Sequence, residues 1–310
     1  MVLNEEFEPK YSYARMCWNK WFKIISIIDD IYDSYGLLEE LEVFTEAIQR
    51  WDKSCIDQLP DYMKLFYEAM LDTDEEMEQE LAKEGRSYAV YYAKKQVKLK
   101  SQAYLQEARW RHEKYVPTYD EYMKNAIFSS GSLFVTVTTY LCMGNIPNKD
   151  SFEWLHHNSR APRASSVLTR LANDISGHKL ILIHLEDWEV KPANATVCSM
   201  KRDYASTSVE SYMSQFGIIS EEEAYKHLQM QMEEAWKDIS TDMLGPTNVP
   251  MPIVQRVINL SRVLCDFYSI GEDRYTMGKC MKPSITSVLT DSLCIDKYTV
   301  RVFFCSCCNL

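Results

Sequence analysis

WFKIISIIDDIYD, residues 21–33, joins a strongly apolar run to three carboxylates, Asp29, Asp30 and Asp33. Residues four apart lie on one face of a helix, so Asp29 and Asp33 share a side. Two anions one turn apart beside an apolar wall repel each other and resist the loss of water, so a positive charge is expected between them. A hard divalent cation such as Mg²⁺ suits the pair, because it takes one or two carboxylates and keeps waters or phosphate oxygens as its other ligands. The other reading is a solvated acidic turn, since Asp favours helix starts. Against it, Asp30 and Asp33 continue a helix instead of opening one.

Helical periodicity extends outward from this run. Leu37, Leu41, Phe44, Ile48 and Trp51 step by four and three and place one apolar stripe on a helix after Gly36. Residues 61–84 form an acidic amphipathic stretch closed by Gly85, and 87–115 form a Tyr-rich stretch closed by Pro117. Thr118 with Glu121 makes a capping box for a helix running to about Met143, with a kink expected where Ser129, Ser130, Gly131 and Ser132 interrupt the apolar pattern. Pro162 starts another helix through Leu171 and Asn173, Ser220 with Glu223 caps a further one, and Pro252 opens an apolar one ending near Tyr268. Alternating β-branched runs bounded by turn residues do not recur, so the fold class is all-α. Leu180 to about Met200 is the exception, an aliphatic run giving way to Pro and Asn without helical spacing.

The chain has 310 residues, within reach of one continuous helical core. Aromatic residues reach 12%, with 20 Tyr, which points to a lined cavity or to Tyr rings buried with their hydroxyls wet. The formal charge of -11 excludes nucleic acid as a natural partner. No apolar run reaches the length of a membrane span. The acidic first ten residues lack a signal core or transit composition, so the expected location is cytoplasmic. The ten Cys read as reduced core thiols, and the cluster Cys305, Cys307 and Cys308 lacks the matching partners of a zinc site.

With these residues in view, EPKYSYARMCWNKWFKIISIIDDIYDSYGLLEELEVFTEAIQRWD closely resembles plant terpene synthases, in the branch rich in sesquiterpene cyclases. The likeness continues through ELAKEGRSYAVYYAK, WRHEKYVPTYDEYM, RASSVLTRLANDISGHK and PTNVPMPIVQRVINLSRV, over residues 7 to about 179 and about 201 to 295. It implies a class I terpenoid synthase helical bundle around a central apolar cavity. It implies Mg²⁺, or Mn²⁺ in its place, held by Asp29, Asp30 and Asp33 against a prenyl diphosphate, with farnesyl diphosphate the expected substrate. The family's second metal motif maps onto Asn173, Gly177 and Ile181. Of these Asn173 offers an amide oxygen, while Gly177 and Ile181 offer nothing and Ser176 lies one place early, about 100° round the helix.

By the same resemblance Arg170 contacts the diphosphate, Tyr268, Asp273 and Tyr275 line the pocket from the lid side, and Ser129, Ser130 and Gly131 form a helix break whose carbonyls face the carbocation. The expected organisation is a catalytic domain over 1–296 that lacks its first helices, with a non-family insertion at about 180–200 and an unstructured tail at 297–310. Two other readings stand beside the cyclase: a chain-elongating prenyltransferase, and a catalytically inactive truncated or mis-spliced remnant. Cation folding depends on cavity contour, which residue types do not fix, so the product is not legible.

Overall fold

The computed structural model describes residues 12–157, 159–186, 206–268, 274 and 281–289, and within them every regular element is helical. Helix α1 (Ser12–Asp30) runs into a π-turn (Ile31–Tyr35), then α2 (Leu38–Arg50), α3 (Asp61–Lys83), α4 (Val90–Glu113) and α5 (Tyr119–Ser129) follow. After these come α6 (Ser132–Leu141), α7 (Lys149–His156), α8 (Arg160–Glu186), α9 (Ser208–Phe216), α10 (Glu221–Leu244), α11 (Met251–Phe267) and α12 (Lys282–Leu289).

The ends lie where capping chemistry puts them. Thr118 accepts from the Glu121 N–H while the Glu121 carboxylate takes the Thr118 N–H, closing the capping box at α5. Ser220 accepts from the Glu223 N–H at the start of α10. Helix α8 begins at Arg160, two residues before the expected Pro162, which sits in the first turn where its missing N–H has no intrahelical role. The single helix expected from Thr118 to about Met143 is two, α5 and α6, divided at Gly131. A further correction concerns the stretch from Leu180: α8 continues to Glu186, so its first residues are helical despite their unbroken aliphatic pattern. A run apolar all round is as compatible with a helix as with a strand, and only its length arbitrates. The rest of that stretch, the tail at 297–310, Asp273 and Tyr275 lie outside the described residues.

Helix α8 is packed along α10 and α11, and α4 lies against α2, α5 and α6. The core is continuous from Trp18 and Trp21 on α1 through Phe44, Tyr67 and Phe134 to Val254 and Val257 on α11. A smaller cluster of Leu171, Ile175, Val209 and Leu228 holds α9 and α10 to α8. Each fully buried aliphatic side chain here contributes about 1.5–3 kcal/mol relative to exposure. This frame brings the π-turn, α4, α5 and α8 together along one polar seam.

Candidate functional site

Trp18, Trp21, Ile25, Ile28 and Tyr32 are all buried, at helical spacing. That stripe fixes the rotation of α1 and so the direction of the carboxylates beside it. Asp29 is half-buried, and Asp30 and Asp33 are exposed. At Ile31 the helix widens, and the Gly36 N–H closes a five-residue turn on the Ile31 carbonyl at 2.8 Å. A Cβ at Gly36 would lie 2.4 Å from Leu41 Cδ2 and 2.9 Å from the Ile31 oxygen, so only glycine allows this closure. Arg111, arriving from α4, donates to the carbonyls of Tyr32 at 2.7 Å and Asp33 at 3.1 Å and braces the widened turn.

Facing this wall, α4 presents Lys100, Tyr104, Glu107 and Arg111 at steps of four, three and four, which is one helix face. The Tyr104 hydroxyl donates to Asp29 Oδ1. Glu107 accepts from Ser129 Oγ at 2.6 Å and from Asn125 Nδ2 at 3.2 Å. Lys100 is 4% exposed, donates to the Ser129 carbonyl at 2.5 Å and lies 4.1 Å from the centre of the Tyr104 ring. That carbonyl is free because the chain breaks between α5 and α6, where Gly131 takes a φ of 77°. Ser132 Oγ, on the far side of the break, pairs with Ser165 Oγ of α8 at 2.8 Å.

On α8, Arg170 donates through Nε to the Tyr122 hydroxyl at 2.8 Å and lies 2.9 Å from Asp174 Oδ1. Its Nη1 is 4.0 Å from Glu107 Oε1. The fork expected to meet diphosphate is therefore already embraced by Tyr122, Asp174 and Glu107. Asn173 is half-buried on the same helix. A Cβ at Gly177 would meet nothing within 4 Å, whereas Ser176 is buried and donates to the Tyr268 carbonyl at 3.1 Å. Ser176 thus faces α11 and offers nothing to the seam. Tyr268 ends α11 half-buried, with its carbonyl used in this way.

The electrostatics follow from this crowding. The Asp33 residue is open to water, yet its carboxyl group stands among protein atoms, and burial first, then Asp29 and Glu107, push it up to about 7 against Arg111 and Arg170. Burial likewise brings Lys100 down to about 8, opposed by Asp29, Glu107 and Asp33. Burial and the charge of Asp29 raise Asp30 more modestly. Acid groups held together against their preference suit a cation on the α1 wall. Among the described residues no three His, Cys, Asp or Glu side chains gather to hold a metal ion by themselves. A cation here would take Asp29 and Asp33 and find its other ligands in water or phosphate. On α8, Asn173 carries one amide oxygen that could serve as a ligand, and position 177 carries none.

The structure thus brings Asp29, Asp33 and Arg170 into one seam and adds Lys100, Tyr104, Glu107, Arg111, Tyr122 and Asp174, which sequence reasoning passed over. The signal for four of them was present in the polar spacing of residues 87–115, but a charged stripe on a helix reads first as a solvated face.

Comparison with known proteins agrees with this geometry. The model of the terpene synthase family's metal-binding domain matches residues 3–182. A protein named "Sesquiterpene synthase 2" from Toona sinensis is 43% identical over 94% of this chain and 49% of its own length. A "(-)-germacrene D synthase" from Vitis vinifera is 43% identical over the same shares, 94% and 49%. The chain therefore spans about half the length of the curated relatives it matches. Isoprene synthase from grey poplar leaves (Populus x canescens), solved with three Mg²⁺ ions and dimethylallyl-S-thiolodiphosphate, superposes with a TM-score of 0.77 at 31% identity, covering 94% of this chain and 52% of that one.

Proposed function

The chain belongs to the terpene synthase family, and from that premise we propose that its seam of carboxylates ionises farnesyl diphosphate with Mg²⁺ and lets the cation cyclise to a sesquiterpene. The observation that carries this reading is the pair Asp29 and Asp33, one turn apart on a single helix face, met by Tyr104 and by the positive groups of α4 and α8. Asp29 and Asp33 would hold the metal, with Asn173 as the one donor across the seam. A bound divalent cation neutralises the diphosphate oxygens and so makes them a better leaving group.

In the ionisation the C1–O bond breaks and its electron pair leaves with the diphosphate. An internal double bond then closes on the cation, and a C–H next to the final cation gives up its proton to the released diphosphate, leaving an alkene. Tyr104 keeps Asp29 oriented, and Arg111 holds the turn that aims Asp33. Arg170, fixed by Asp174 and Tyr122, adds positive potential where diphosphate charge would accumulate. Tyr268, Asp273 and Tyr275 are proposed to line the hydrocarbon end, where aromatic faces stabilise passing cations. The names of the relatives speak for a cyclase over a chain-elongating enzyme or an inert remnant. No helix among the described residues is long and apolar enough to cross a membrane, which accords with the proposed cytoplasmic setting.

The test is incubation of the purified chain with farnesyl diphosphate and Mg²⁺, followed by gas chromatography of the headspace and assay of released diphosphate. A volatile hydrocarbon or alcohol that disappears with EDTA and falls at least ~100-fold in Asp29→Ala is expected, the size typical of losing a group that stabilises transition-state charge. Absence of product together with absence of Mg²⁺ binding would end the proposal.

A further inference from the structure

The proposed ionisation makes no use of Lys100. Yet the surroundings of this side chain are built with care. Its ammonium is buried, bonded to the Ser129 carbonyl at 2.5 Å and seated over the Tyr104 ring at 4.1 Å. A Cβ on Gly131 would come within 3.1 Å of Nζ, so the glycine that makes the break also makes room for the ammonium. The carboxylates whose fields reach it are Asp29, Glu107 and Asp33, and Arg170 is the opposing cation. Across the seam, α8 offers a cation only the Asn173 amide, for position 177 is glycine and position 181 is isoleucine.

We infer that Lys100 is a resident counter-ion of this site, a positioning residue whose ammonium permanently carries part of the positive charge that a metal ion would otherwise bring. The inference rests on the reading that Asp29 and Asp33 bind a divalent cation, and it deepens that reading. Two consequences follow. The ammonium stands over the Tyr104 ring, whose hydroxyl holds Asp29, and feels the field of the carboxylates that the metal would bind, so its charge weakens metal binding at the α1 wall by repulsion. With charge supplied from within and only the Asn173 amide on α8, the chain loads at most two divalent ions when diphosphate is present.

The experiment titrates Mn²⁺ into the full chain, with and without inorganic diphosphate, and reads free Mn²⁺ by electron paramagnetic resonance. Lys100→Gln keeps a donor for the Ser129 carbonyl and removes the charge. Lys100→Arg keeps the charge. Lys237→Gln removes one charge at an exposed position on α10. Lys100→Gln is expected to bind Mn²⁺ on the order of tenfold more tightly, the scale of losing one unit of repulsion in a partly desolvated site. Lys100→Arg and Lys237→Gln should keep the wild-type affinity. A purely structural lysine would instead give weaker or unchanged binding on removal, and that result in a chain with native circular dichroism overturns the inference while sparing the metal site. Should Lys100→Gln not fold, Lys100→Met, which keeps the length of the stem without the charge, takes its place: tighter Mn²⁺ binding than wild type supports the resident charge, and weaker or unchanged binding overturns it. A wild-type chain that binds no Mn²⁺ at all overturns the underlying reading and this inference with it.

Discussion

Asp33 shows how a single residue can carry both the promise and the strain of a site. It is pushed up to about 7 from an ordinary 3.8, first by burial and then by Asp29 and Glu107. A carboxyl raised in this way holds its proton more tightly in the folded chain than in the unfolded one, so stability falls as pH climbs from the ordinary value towards the raised one. Because water reaches Asp33, screening reduces the penalty to about 1 kcal/mol. In EDTA, Asp33→Asn should therefore melt about 1–2 °C above wild type at pH 8 and level with it at pH 4. Metal requires the anion, so wild-type Mn²⁺ affinity should climb as pH passes 7, with proton release, and Asp33→Asn should bind weakly with a flat pH profile. Identical melting at both pH values, with metal affinity indifferent to pH, would contradict this account. Asp29 and Asp33 were legible because one short run contains them. Lys100 and Glu107 were not, because their meaning depends on a wall 75 residues away from Tyr104 in sequence.

At the scale of elements, end signals were readable and local departures from ideal helix were not. Gly85, Thr118 and Ser220 announced their boundaries through chemistry that acts within four residues. The π-turn at Ile31–Tyr35 gave no such notice, since it depends on Leu41 closing over Gly36 and on Arg111 arriving from α4. Helix α8 gives the sharpest contrast between neighbours. Ser176 is buried and bonded to the Tyr268 carbonyl, while a side chain at Gly177 would enter open space. Gly177→Ser should therefore fold normally and gain about 0.5 kcal/mol from the better helix propensity of serine. Ser176→Ala should lose about 1 kcal/mol with its hydrogen bond and leave Mn²⁺ affinity unchanged. Thermal melts of the two variants check the assignment. If Gly177→Ser proves the less stable of the two, α8 is rotated from the orientation described.

Across the whole molecule, Asp174 is where separate parts of the chain are tied together. It is 2% exposed and accepts the Tyr122 hydroxyl of α5 at 2.8 Å and the Ser208 N–H of α9 at 3.0 Å, with Arg170 Nε at 2.9 Å. One turn further along α8, His178 meets Glu210 of α9 at 3.2 Å and the Tyr225 hydroxyl of α10 at 2.6 Å. Sequence pattern could not disclose these ties, because they link residues on either side of the stretch that reads as foreign to its surroundings. Burial pulls His178 down, but Glu210 outweighs it and holds His178 above its ordinary 6.5; burial pushes Glu210 up, but His178 and Thr207 outweigh it and hold Glu210 below its ordinary 4.5. The histidine's contribution is full below its ordinary value and is lost as pH rises through the raised one. The glutamate's is full above its ordinary value and is lost as pH falls through the lowered one, so this tie is strongest between about 4.5 and 6.5. Asp174→Asn keeps the shape but strips the nearest charge from half-buried Arg170, leaving it only the more distant Glu107 at 4.0 Å, and a loss of about 2–3 kcal/mol is expected. Urea denaturation would measure it, and hydrogen exchange should show α9 opening far more often than α2, which shares none of these bonds. The expected pattern is uneven, with α9 exposed first and the α1 to α4 wall protected as in wild type. Uniform acceleration across all helices, or none, would mean that Asp174 does not join α9 to α8.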